Sequence, residues 1–321
     1  MARLVFVHGI GANRQRSEQQ LADWTAALAE GARAAGHGAA ARDLTFGGRL
    51  SPVLARYAEQ FADGQPQDVA AARAEGEQDL DTEILHDLLA AEVEDRLADD
   101  DLVGEHVTLC HARDQLQPPG TSQGAGDIAR RITNVAATLV GLLPFQLGYR
   151  ATAKVLASDL RQVPAYLSRR RPDASGVTLD TRIRAIVSEA LGDGPSVVVA
   201  HSLGSVVAWE TLATHPGRVP LFVTVGSPLA MRTVVWPRLI PRPPATPETV
   251  ERWLNFWDRD DVFTGRATLE RDWNPNSAGI LPVSRRIDSD GLWVHPATQY
   301  LADPAVAGPI VEALAMLAEQ A

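Results

Sequence analysis

A single cysteine, Cys110, stands in a chain of 321 residues. No intrachain disulfide can form and nothing points to an oxidising compartment, so the expected location is the cytoplasm. Positive charge is scarce as well. Against 40 Asp and Glu there are 30 Lys and Arg, a formal net charge of −10, which argues against a general nucleic-acid binder. The apolar run at residues 4–7 (LVFV) is far too short for the core of a signal peptide and reads as a strand. The one long uncharged stretch, residues 132–149, is broken by Gly141, Pro144 and Gly148 and diluted by Thr133, Asn134, Thr138 and Gln146. That composition speaks against a membrane span and for a buried helix or a cap over an apolar pocket. Internal repeats and low-complexity tracts are missing too. What is present is 45% apolar residues, enough to bury a sizeable core, and wholesale disorder is excluded.

Residues 4–7 form a continuous apolar run that ends at His8-Gly9, as a strand buried on both faces of a parallel sheet does. Beyond the glycine-bearing turn, Leu21, Trp24 and Leu28 recur at helical spacing, which predicts a helix over about residues 15–35. A second strand is expected near residues 40–46. Further short apolar runs lie at 196–200 (SVVVA), 221–225 (LFVTV) and 253–256 (WLNF), with a last strand near 285–287. Helical patterns occupy 182–191 and 202–215, and a closing amphipathic helix carries Ile310, Val311, Leu314 and Leu317. Strands alternating with helices imply an α/β fold with a doubly wound, mostly parallel sheet of about six strands.

One domain over residues 1–321 is expected, with a helical insertion over 50–176 serving as a cap or lid. Residues 63–105 hold fifteen acids and two basic residues, whereas 130–171 hold eight basic residues and one acid. The two parts are suited to pair. Within the first, Ile84, Leu85, Leu88, Leu89, Val93 and Leu97 mark one amphipathic helix. Transient contact of 130–171 with a membrane or lipid surface is an open reading. A proline-rich loop, 229–249, is expected over the site.

The informative pentapeptide is Ala200-His201-Ser202-Leu203-Gly204, between a strand and a helix. A serine on a sharp strand-to-helix turn has an exposed hydroxyl at a helix N-terminus, and small residues on either side let the backbones approach. The plain alternative is a capping serine. The amide of Leu203 would lie where the helix dipole favours an anion.

With His8-Gly9-Ile10-Gly11 after the first strand, Gly226-Ser227-Pro228-Leu229 after the fourth, Asp261 and His295, this pentapeptide resembles the α/β-hydrolase superfamily, above all its serine esterases and lipases. Ala200 departs from the family pattern, which usually has Gly. The first two strands of the family also lack counterparts here. The resemblance implies Ser202 as nucleophile, His295 as base and Asp261 as the acid that orients it, with Asp258 in reserve because the two acids share an Asp-x-x-Asp turn. It implies the amide of Ile10 as a second oxyanion donor beside that of Leu203, and no cofactor or metal. His8 then braces the oxyanion loop, and His201 has no necessary chemical role. His215 is expected to face solvent.

Other leads are weak. His106, Cys110 and His111 match no zinc spacing. Gly9-x-Gly11 lacks the third glycine and downstream acid of a dinucleotide site. Arg169-Arg170-Arg171 reads as a solvated helix end, and Trp236, Trp253, Trp257, Trp273 and Trp293 as core or pocket lining. The expected activity is hydrolysis of a small-molecule carboxylic or lipid-like ester. Acyl transfer (a thioesterase, acyltransferase or macrocyclase) and a non-catalytic binding module on the same fold remain open, as do oligomeric state and biological substrate.

Overall fold

Residues 4–7 have no solvent exposure at all, and the cause is visible in their pairing. In the computed structural model, β1 (Ala2–Val7) lies between two other strands of one sheet. The structure describes residues 2–9, 17–46, 50–61, 90, 93–94, 97, 106–116, 162–169, 172, 174–231, 235–258, 261, 264, 268–288 and 295–320.

The sheet is formed by β1, β2 (Leu50–Ala55), β3 (Ser196–His201), β4 (Leu221–Val225), β5 (Trp253–Asp258) and β6 (Pro282–Ile287). Its order is β2-β1-β3-β4-β5-β6, and every pairing is parallel. Strands buried on both faces need no polar alternation, which explains the unbroken runs LVFV, SVVV and LFVTV.

Period-two geometry then assigns the faces. Leu4, Phe6, Val197, Val199, Val223, Val225, Leu254 and Phe256 share one core with α1 (Ser17–Ala34), α2 (Gly38–Phe46), α7 (Ala297–Ala302) and α8 (Pro304–Gln320). Trp24 of α1 meets the ring of Phe6 edge-on, with centroids 5.4 Å apart. Leu301, Ile310, Leu314 and Leu317 come from the C-terminal pair of helices. The opposite face carries a polar ladder: Trp253 Nε1 donates to Thr224 Oγ1, Thr224 to Asn255 Oδ1, and Asn255 Nδ2 to Ser284 Oγ. Trp209, Trp253 and Trp273 pack edge to face beside it, so Trp253 and Trp273 are core residues.

Two expectations require correction. Residues 40–46 are not a strand but belong to α2, and the strand is β2 at Leu50–Ala55, inside the segment expected as an insertion. Ala39, Ala40, Ala41 and Leu44 favour a helix, with Ala41 and Leu44 buried on one face. Pro52 is tolerated in β2 because that strand lies at the sheet edge, where a missing donor costs nothing. His215, expected in solvent, is buried after α6 (Leu203–Leu212), with Nδ1 3.2 Å from Ser188 Oγ of α5 (Leu179–Leu191).

The chain divides into two compact units. Residues 1–60, 180–230 and 239–321 form the sheet unit; 61–179 and 231–238 form the other. Within the second, α3 (His106–Leu116) buries Leu109, Ala112 and Leu116 along one side, and α4 (Gln162–Leu167) buries Val163, Ala165, Tyr166 and Leu167. Arg169 lies over the Tyr166 ring and donates to the carbonyl of Arg238. Of the expected amphipathic helix only Val93 and Leu97 are described, and most of 130–171 and Trp293 lie outside the described residues. Among the described residues no helix is long and apolar enough to cross a membrane.

Candidate active site

The strand order reverses between β1 and β3, since β1 leads outward to β2 while the chain returns to place β3 on its other side. At such a switch point the loops leaving neighbouring carboxyl ends diverge and open a crevice. Gly9 follows β1 and Ser202 follows β3, so both stand at that crevice.

Ser202 has φ 53° and ψ −134°, a conformation L-residues avoid and one that costs on the order of 1–3 kcal/mol. The surroundings hold it there. Ser202 N donates to the carbonyl of Val225, and the Ser202 carbonyl accepts from Ser205 N and from Ser205 Oγ at 2.6 Å. Ser227 Oγ lies 2.6 Å from Ser205 Oγ and accepts from Leu229 N. Since Ser205 gives its proton to Ser202, Ser227 donates to Ser205. Glycine is required on either side. A side chain on Gly204 would run into the carbonyl oxygens of Val7 and His8, and a Cβ on Gly9 would stand 2.6 Å from Ser202 Cβ. The Ala200 methyl is accommodated within β3 with no exposure.

Ser202 occupies the N-cap position of α6, yet its hydroxyl makes no capping bond. It lies 3.2 Å from His295 Nε2 instead. His295 Nδ1 lies 2.8 Å from Asp261 Oδ1 and 2.9 Å from Oδ2. A carboxylate only accepts, so Nδ1 carries the proton and Nε2 of the neutral ring accepts from Ser202. The Asp261 side chain is fully buried. It is reached because Asp261 N donates to the carbonyl of Asp258, turning the chain back at the end of β5. Asp258, the reserve acid, ends β5, and its backbone N donates to Tyr300 Oη.

A family model for the alpha/beta hydrolase fold matches residues 149–271, which takes in Ser202 and Asp261 and leaves His8, Gly9 and His295 outside. Over that stretch the chain is similar to the alpha/beta hydrolase fold. No curated protein and no solved structure matches it. The six-stranded parallel sheet with flanking helices is consistent with an α/β-hydrolase-like fold.

Three further groups of this hydrolase-fold protein escape sequence reasoning. Tyr300, on α7, donates to Asp261 Oδ2 at 2.7 Å. Burial, with the nearby charge of Asp261 added, pushes its hydroxyl well above the usual range, so it stays a donor. No spacing rule links a helix after His295 to a turn after β5. His201, read as chemically idle, has Nε2 2.7 Å from the backbone carbonyl of His295. Tyr57 stacks on His8 with centroids 4.0 Å apart and donates to the His8 carbonyl. His8 Nδ1 donates to the Gly9 carbonyl at 2.7 Å, and burial pushes this ring down to about 4. His8 is therefore neutral and holds the loop that leaves β1.

Leu203 opens α6, so its amide stands at a helix N-terminus beside Ser202. Ile10 lies outside the described residues. His106, Cys110 and His111 lie on α3, and among the described residues no group of three or more His, Cys, Asp or Glu is arranged to hold a metal ion.

Proposed function

We propose that this protein is a serine hydrolase cleaving a carboxylic ester, with Ser202, His295 and Asp261 as its catalytic residues. The observation that carries the reading is the buried hydrogen-bonded chain from Ser202 Oγ through His295 to Asp261. Ser202 Oγ attacks the acyl carbon as its proton passes to His295 Nε2, and Asp261 stabilises the imidazolium. The amide of Leu203, with that of Ile10 as the second donor, faces the negative oxygen of the tetrahedral intermediate, each donor contributing roughly 10²- to 10³-fold in rate. His295 then protonates the leaving alcohol, which departs and leaves the acyl group on Ser202. Water attacks that ester, gives its proton to His295, and the acid leaves as Ser202 recovers its proton.

The reading includes a cytoplasmic location, suggested by the lone cysteine, and contact of 130–171 with lipid surfaces, suggested by their basic charge. The direct test is labelling with a fluorophosphonate, wild type beside Ser202→Ala. Labelling confined to the wild type is expected, and turnover of an activated ester should fall about a millionfold in the variant. Retained labelling in Ser202→Ala would remove Ser202 as nucleophile. Anionic vesicles should raise activity on long-chain esters if the lipid-surface part of the reading holds. Acyl transfer uses the same three groups, and product analysis with an added alcohol or amine distinguishes it.

A further inference from the structure

We propose that His201 is a positioning residue, holding the backbone of His295 so that its imidazole spans Ser202 and Asp261. The inference rests on the serine-hydrolase reading above. His295 lies after the sheet ends, and its ring must meet two partners at once: Oγ of Ser202 at 3.2 Å and the carboxylate of Asp261 at 2.8 Å. Neither contact fixes its main chain. A bond to that main chain comes from the last residue of β3, immediately before the serine: His201 Nε2 lies 2.7 Å from the His295 carbonyl oxygen, and both groups are buried. A carbonyl only accepts, so His201 carries its proton on Nε2 and donates.

The His201 ring is itself held. Trp24 of α1 meets it edge-on with centroids 5.9 Å apart, and the His295 ring lies tilted against it at 4.7 Å. A Cβ on Gly226 would stand 3.4 Å from His201 Nε2 and 3.0 Å from Asp261 Oδ2, so the missing side chain there leaves space for both. The nucleophile and the carbonyl anchor of its base are thus neighbours in sequence on one rigid strand end. A shift of either is shared by the other, which keeps the distance between Oγ and Nε2 constant. Burial first, and the neighbouring His295 second, push His201 down to about 3, so the ring stays a neutral single donor at neutral and mildly acidic pH. A buried histidine serves here as a neutral donor, with no proton transfer of its own.

The test compares wild type, His201→Gln, His201→Leu and His201→Asn by the second-order rate of fluorophosphonate labelling at Ser202, per folded molecule. The amide nitrogen of Gln reaches about as far from the backbone as His Nε2, whereas that of Asn falls short and Leu has no donor. Displacing a base by an ångström costs about a hundredfold, so Leu and Asn should label roughly ten- to a hundredfold more slowly while Gln stays within about threefold of wild type. Wild-type labelling in the Leu variant, or Gln as slow as Leu, overturns the proposal while leaving the triad reading intact. If the Leu variant does not fold, Gln against Asn decides in the same way, equal rates overturning it. A wild type that fails to label at Ser202 removes the triad reading and this inference with it.

Discussion

The hydroxyl of Tyr300 and the imidazole of His295 converge on one carboxylate: Tyr300 Oη donates to Asp261 Oδ2 at 2.7 Å, and His295 Nδ1 lies 2.8 Å from Oδ1 and 2.9 Å from Oδ2. Tyr300 also accepts from Asp258 N, so one phenol ties the end of β5 to the turn that carries the acid. A hydrogen bond to a charged group contributes about 1.5–3 kcal/mol, and here part of that stabilises the negative charge that His295 feels.

Tyr300→Phe should therefore loosen the carboxylate that orients the ring in the proposed triad. With one donor gone, Asp261 is held less firmly and His295 less squarely, so turnover on an activated ester should fall roughly three- to tenfold. Turnover of both proteins at equal folded fraction checks this. A rate equal to wild type would reduce Tyr300 to a packing residue.

The two acids of the turn make different predictions. Asp261 contacts His295, whereas the backbone amide of Asp258 contacts Tyr300. Asp261→Asn leaves the shape but removes the charge and favours the wrong tautomer, so kcat should drop on the order of 10³- to 10⁴-fold. Asp258→Asn should cost no more than about tenfold when compared at equal folded fraction. The reverse ranking would transfer the acid's role to Asp258.

Much of this arrangement was legible because burial on both faces leaves an unmistakable trace. The apolar runs at 4–7, 196–200, 221–225 and 253–256 lie within β1, β3, β4 and β5. β2 escaped because Pro52 interrupts it and because alanines upstream mimic an apolar strand while favouring a helix. At the site, the groups implied by the resemblance to the hydrolase superfamily lie within hydrogen-bond reach of one another. Their supports left no such trace. The bonds from Tyr300 to Asp261, from His201 to His295 and from Tyr57 to His8 join segments far apart in sequence, and a phenol or a histidine in isolation carries no record of its partner.

Gly9 offers a test of the approach between the two strand ends. A methyl there would stand 3.2 Å from the Ser202 hydroxyl and 2.6 Å from Ser202 Cβ, the latter closer than two carbons tolerate. Gly9→Ala should cost about 1–3 kcal/mol in stability and slow fluorophosphonate labelling by roughly a hundredfold, because the serine must move. Gly38 serves as the control. Among the described residues no heavy atom outside its immediate chain surroundings lies within 4 Å of the position its Cβ would take, and it begins α2, so Gly38→Ala should stabilise by about 0.4–1 kcal/mol with labelling unchanged. Equal behaviour of the two variants in denaturation and labelling would contradict the close approach at Gly9.

Two buried histidines set how stability depends on pH. Burial lowers His8 to about 4 and His201 to about 3, from an ordinary value of 6.5 in the unfolded chain. Above pH 6.5 both states hold these rings neutral, and their contribution is fully present. As pH falls below 6.5 the unfolded chain gains a proton at each ring while the folded chain does not, so the unfolded state binds more protons and stability declines. Two rings titrating together give a slope approaching about 3 kcal/mol per pH unit between roughly pH 6 and 4. Replacing one ring by a neutral donor that cannot titrate removes its share: His201→Gln or His8→Asn should each flatten that slope by about half. Urea denaturation at several pH values between 7.5 and 4.5 measures it. A slope the same in both variants as in wild type would mean that these rings take up protons in the folded protein as readily as in the unfolded chain, and would overturn the prediction.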